Sequence, residues 1–117
     1  MNKLEKKDYQ VTVNIDTQGT VSCDPDTLKI EKSWGTVNIK WKVKSEQDWE
    51  ITGISAPDGE PLDAYEFKSS KKHGHSGWKI QDRNRKIKEF EYVVHVQRVK
   101  TGECVAHDPI IKNGGRK

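Results

Sequence analysis

Asp108 and Pro109 form the most easily broken of ordinary peptide bonds, and they stand in "TGECVAHDPIIKN" directly after His107. Cleavage there needs no outside reagent. The Asp108 carboxylate can attack its own carbonyl carbon, giving a five-membered anhydride as the proline nitrogen leaves. Alternatively, it can serve as general base on a water aimed at that carbonyl. Proline helps because its tertiary amide nitrogen is more readily protonated, and any twist of the bond weakens its resonance. A fold that fixes the carboxylate gains the ~7–11 kcal/mol of a well-oriented intramolecular reaction. The leaving nitrogen needs a proton, and His95 or His107 can supply it near neutral pH. An anhydride at Asp108 could also be captured by the amine of Lys88 or Lys100, leaving an isopeptide link. The bland alternative is a turn, and the chain carries its own comparison: Asp24-Pro25, in "CDPDT", reads as a structural turn.

Strands must position these groups, because the dominant period in the sequence is two. "YQVTVNI" sets Tyr9, Val11, Val13 and Ile15 on one face, and "TVNIKWKV" does the same with Val37, Ile39, Trp41 and Val43. Trp49 and Ile51 continue the pattern. "FEYVVHVQRV" offers Phe90, Tyr92, Val94 and Val96 on one face, with Val93, His95, Gln97 and Val99 on the other. Turn signals separate the runs: Gln18-Gly19, Asp24-Pro25, Trp34-Gly35, Pro57-Asp58-Gly59, Gly74, Gly77 and Thr101-Gly102. No amphipathic helix is evident beyond one short turn at Asp63–Phe67. Residues 1–117 therefore read as one all-β domain, an antiparallel sandwich of about seven or eight strands of the immunoglobulin or cupredoxin kind. "RVKTGECV" reads as a hairpin, and a final strand runs from Glu103 to Ile111, ahead of an "NGGRK" tail. A two-residue loop would set Lys100 against Glu103, Val99 against Cys104, Val96 against His107 and His95 against Asp108. A slip of one or two residues keeps both histidines near the bond. Pro109 cannot donate to a ladder and marks an edge, bulge or break. Ile110 and Ile111, apolar and β-forming, anchor the residues beyond it.

Together these features resemble the DP-EP family, small bacterial β-sandwich proteins associated with self-cleavage at an Asp-Pro bond. The resemblance rests on "PDTLKI", "GTVNIKWKV", "FEYVVHV" and, most specifically, the terminal "HDPIIKN". It implies cleavage after Asp108 by that residue's carboxylate, dividing the chain into 1–108 and a strand 109–117 that stays bound. A self-cleaving, single-turnover endopeptidase acting on its own C-terminal peptide, without metal or cofactor, is the function expected. The rival is a non-catalytic β-sandwich that binds a ligand or self-assembles with its chain intact.

Other chemistries fit less well. Cys104 and His107 make a C-x-x-H pair of the sort found in blue-copper sites, but strand alternation sends them to opposite faces and Met1 is the sole methionine. His73 and His75 in "HGH" have no cysteine or carboxylate partner at a telling spacing. No G-x-S-x-G elbow or phosphate-cradling motif is present. Trp41 and Trp49 read as core, while Trp34 and Trp78 border turns, where they could meet a carbohydrate. The two cysteines, Cys23 and Cys104, are too few for a disulfide framework and read as small buried residues. A net charge of +3, with 33% of residues charged and both signs interspersed, carries no nucleic-acid signature. "KSSKKHGH" and "RNRKIK" read as solvated loop surface. The charged N-terminus and the lack of a long apolar run point to a cytoplasmic chain without a membrane partner. A freed strand edge makes a homo-oligomer plausible.

Overall fold

The structure is a computed structural model that describes residues 7–31, 34–44, 48–62, 66–74, 76–85 and 88–115. It is all-β. Eleven strands follow one another: β1 (Lys7–Ile15), β2 (Val21–Asp24), β3 (Thr27–Glu31), β4 (Val37–Val43), β5 (Trp49–Ser55), β6 (Phe67–His73), β7 (Gly77–Asp82), β8 (Lys88–Glu91), β9 (Val93–Arg98), β10 (Cys104–His107) and β11 (Ile110–Gly115). They form a five-stranded sheet in the order β2-β1-β4-β7-β6 and two three-stranded sheets, β10-β9-β5 and β3-β11-β8. The expected seven or eight strands in a purely antiparallel arrangement are thus exceeded. In addition, β1 pairs with β4 and β3 with β11 in parallel. Among the described residues no helix is long and apolar enough to cross a membrane. Of the short turn expected at Asp63–Phe67, Asp63 to Tyr65 lie outside the described residues and Phe67 opens β6.

The alternation does what a period of two requires. Val11, Val13, Val37, Ile39, Val43, Ile51, Ile80, Val94, Val96 and Ile111 are wholly buried and join one core fed by all three sheets. Burial of each such side chain is worth ~1.5–3 kcal/mol. Trp41 and Trp49 are core residues, as their patterns require, while Trp34 and Trp78 are half-buried. Trp41 donates its indole N–H to the Tyr92 hydroxyl at 3.0 Å, and the two rings meet edge-on with centroids 5.5 Å apart. This buried donor is satisfied by a phenol that is itself wholly enclosed.

The lysine-rich run expected to be loop is instead strand β6, at the edge of the five-stranded sheet and exposed after Phe67. Its register slips between Lys68 and Lys71, and Ser69 adopts a left-handed φ of 57°. Charge and an irregular ladder are devices that stop an edge from pairing with another chain.

Three chain segments leave one sheet for another at the same corner. β2 passes to β3 through Pro25 and Asp26, β8 to β9 at Tyr92, and β10 to β11 at Asp108-Pro109. The last two crossings are one event. β9 and β10 pair Cys104 with Gln97 and His107 with Val94, while β8 and β11 pair Ile110 with Glu91. The count carries across the break without a slip and puts Pro109 opposite Tyr92 and Asp108 opposite Val93. One long hairpin therefore bends from sheet to sheet, and the Asp-Pro bond lies at the bend. Proline's missing N–H explains the break.

Candidate functional site at the sheet corner

The predicted hairpin exists with a longer loop. The Arg98 N–H donates to the Glu103 carbonyl at 2.7 Å and Gly102 donates back to the Arg98 carbonyl at 2.8 Å, so Val99 to Gly102 form the connection. Relative to the two-residue loop expected, the register moves by two: Cys104 faces Gln97 and not Val99, and His107 faces Val94 and not Val96. An even shift preserves which residues share a face. Gly102 takes the left-handed φ of 77° that closes the loop.

Asp108 is exposed, whereas Pro109 is buried. The chain is pinned immediately beyond the bond. Tyr92 N–H donates to the Pro109 carbonyl at 3.1 Å, and Ile110 N–H donates to the Asp26 carbonyl at 2.9 Å. Ile111 is fully enclosed, and β11 is the middle strand of its sheet, paired to β3 on one side and β8 on the other. The segment expected as a tail is partly strand, because β11 runs on through Gly115.

Asp26 is the residue that sequence reasoning passed over. Its carbonyl holds Ile110, and its carboxylate meets His107 Nε2 at 2.7 Å. It therefore grips the chain on both sides of the Asp108-Pro109 bond. The turn that presents it includes a cis Asp24-Pro25 peptide. Nothing in "CDPDT" announces the contact, which joins residues from opposite ends of the chain.

The two histidines flank the bond from different faces. His95 pairs with Ala106, the exposed residue two before Asp108. Carried one residue past the end of β10, the same register would make Asp108 a diagonal neighbour of His95, a spacing of ~7–8 Å in a regular pair. The His95 ring lies 2.9 Å from Ser55 Oγ, whose hydroxyl also reaches the Ala56 carbonyl at 3.1 Å. His107 points to the inward face, where Asp26 holds it. Neither lysine is brought to Asp108. Lys88 pairs with Asn113, roughly 16 Å along β11 at ~3.3 Å per residue, and its ammonium sits 5.3 Å from the Phe90 ring centroid. Lys100 lies at the hairpin tip, beyond the whole of β10.

The cysteines are free and differ in setting. Cys23 is buried, and loss of solvation, aided by the nearby Asp26 carboxylate, pushes its thiol up to about 12. Cys104 is exposed, against the sequence expectation, because β10 is an edge strand and Cys104 is on its outward face. Among the described residues no group of three or more His, Cys, Asp or Glu is arranged to hold a metal; His75 lies outside them.

A second polar cluster was not foreseen. Glu66, Asp82, Asn84 and Asn113 are all buried. Asn113 Nδ2 donates to Glu66 Oε2 and to Asp82 Oδ1, both at 2.9 Å. Asp82 Oδ1 also accepts the Asn84 N–H at 2.9 Å. Loss of solvation, with Glu66 adding repulsion, pushes the Asp82 carboxyl up to about 6 against the pull of those hydrogen bonds. The cluster ties β7 to the centre of the β3-β11-β8 sheet. No protein-family model matches the chain, and no curated protein matches it.

Proposed function

We propose that this protein cleaves its own chain once, between Asp108 and Pro109, and keeps the peptide 109–117 in the fold. The observation that carries the reading is the asymmetry of the bond: an exposed aspartate on one side, and on the other a segment pinned by Tyr92, Asp26 and two flanking strands. A cut at the bend would leave every ladder of β10 and β11 intact. Asp108 supplies the carboxylate. Its oxygen bonds to the Asp108 carbonyl carbon as the carbon–nitrogen bond breaks, the Pro109 nitrogen takes a proton, and water then opens the anhydride. His95, paired with Ala106, or His107, held by Asp26, delivers the proton. The motif residues shared with the DP-EP family favour the same reaction. In this reading the five-stranded sheet and the bent hairpin with its neighbours are the two layers of a sandwich around the shared core. With Lys88 and Lys100 each a strand's length away, hydrolysis outcompetes capture by either of them.

Intact-mass analysis under denaturing conditions tests this. Purified protein should yield fragments ending at Asp108 and beginning at Pro109. Asp108→Ala should abolish them and Asp24→Ala should not. A single full-length species after long incubation at mild pH would sink the proposal.

A further inference from the structure

A second site lies at the end of the five-stranded sheet, where three adjacent strands β4, β7 and β6 bring their flanking residues together. Val37 and Phe67 both pair with Asp82, so the segment leaving β7 runs between the residues before β4 and those at the start of β6. The result is an open hollow of about 600 Å³ lined by Gly35, Thr36, Lys68, Arg83, Asn84 and Arg85. Three of those six residues are cations and none is an acid.

The wall is rigid. Arg83 N–H donates to the Glu66 carbonyl at 2.7 Å, Asn84 N–H to Asp82 Oδ1 at 2.9 Å, and Arg85 N–H to Glu66 Oε2 at 2.9 Å. Asn84, at a left-handed φ of 57°, also donates its side-chain amide to the carbonyls of Glu31 at 2.6 Å and Gly35 at 3.1 Å. Every backbone N–H from 83 to 85 is thus engaged, and the two loops are stapled together. Glu66 and Asp82 are buried and take up backbone and amide hydrogens there. Neither Lys68 nor Arg83 has an ion-pair partner among the described residues, and the buried Arg83 Nε has no acceptor. A donor enclosed without an acceptor is costly, and Lys68 and Arg83, two cations on one hollow with no ion-pair partner among the described residues, repel each other. Both costs are relieved by one anion.

We infer that this hollow binds a phosphate-type oxyanion, either free phosphate or the phosphoryl end of a small ester. The preformed wall spares the ligand the cost of ordering the loops. The planar donor fork of Arg83 suits two oxygens of a tetrahedral anion, with Lys68 as a point charge beside it. The site is separate from the Asp108-Pro109 corner and does not depend on cleavage.

The test is a titration of the isotope-labelled protein with inorganic phosphate, followed by amide shifts, against chloride at equal ionic strength. Saturable shifts confined to residues 35–36, 68 and 83–85 are expected with phosphate alone. Lys68→Gln and Arg83→Gln should each weaken binding roughly tenfold, the effect of losing one charged hydrogen bond. Lys68 is exposed and without a described ion-pair partner, so its variant keeps the fold even if the Arg83 variant does not. Tighter binding of phenyl phosphate assigns the hollow to esters, and equal binding assigns it to free phosphate. Non-saturating shifts, an equal response to chloride, or unchanged affinity in Lys68→Gln would overturn the inference.

Discussion

Replacing Asp82 by asparagine should stabilise the protein at neutral pH and remove much of its pH dependence. Asp82 is wholly buried, and its Oδ1 already accepts from Asn113 and Asn84. Its Oδ2 and the Asn113 Oδ1 are both buried and have no hydrogen-bond partner among the described residues. A proton on Oδ2 removes a buried charge, and an asparagine removes it permanently. The carboxyl holds its proton to about pH 6 in the fold against an ordinary 3.8. Between those values the folded chain binds the proton and the unfolded chain does not, so stability falls as pH rises from 4 to 6 and stays low above it. Two units and a fraction correspond to about 3 kcal/mol. For a 117-residue chain with ~2.1 cal/mol/K of unfolding entropy per residue, that is roughly 12 °C in Tm. Thermal melts of the parent and Asp82→Asn at pH 4, 6 and 8 are the assay. The two should agree near pH 4 and diverge by about that amount at pH 8, with the variant higher. Parallel pH profiles, or a variant less stable at pH 8, would refute the account of the cluster.

Gly77→Ala should destabilise by ~1–3 kcal/mol, because the added carbon would lie 2.5 Å from the Trp41 carbonyl oxygen and 2.9 Å from that of His73; urea unfolding measures it. Iodoacetamide at pH 8 should label Cys104 alone in the folded protein and both thiols after denaturation, since Cys23 is enclosed and its thiol is pushed up to about 12; peptide mapping identifies the modified residue. Asp26→Asn keeps the carbonyl that holds Ile110 but removes the carboxylate facing His107, and it should slow cleavage after Asp108 about tenfold. An unchanged time course in intact-mass samples would remove His107 from the reaction.

The faces of the strands were legible because alternation is a local property. Val11, Val13, Val37, Ile39, Trp41, Val94 and Val96 are buried as their positions require. The strands' ends were legible only in part: Pro109 marked the break after β10, but the bend at Tyr92 interrupts no apolar pattern, since Phe90, Tyr92 and Val94 stay on one face through it. The parallel pairs unite segments with no local signal for each other. The carboxylate cluster left a trace that went unread. Asp82 sits two residues after Ile80 and Asn113 two after Ile111, so both are polar residues at core-facing positions. Asp26 left none, since its partner lies at the other end of the chain.

The place of β11 between β3 and β8 also sets an order in time. Thr27 pairs with Ile110, so β3 must wait through the synthesis of most of the chain before its neighbour exists. Pairing over so long a separation is the slow kind. A break at Asp108 before that pairing would strand the peptide from its slot. The same break afterwards would leave a two-chain protein that holds together but, once denatured, regains its shape only as fast as two separate pieces find each other.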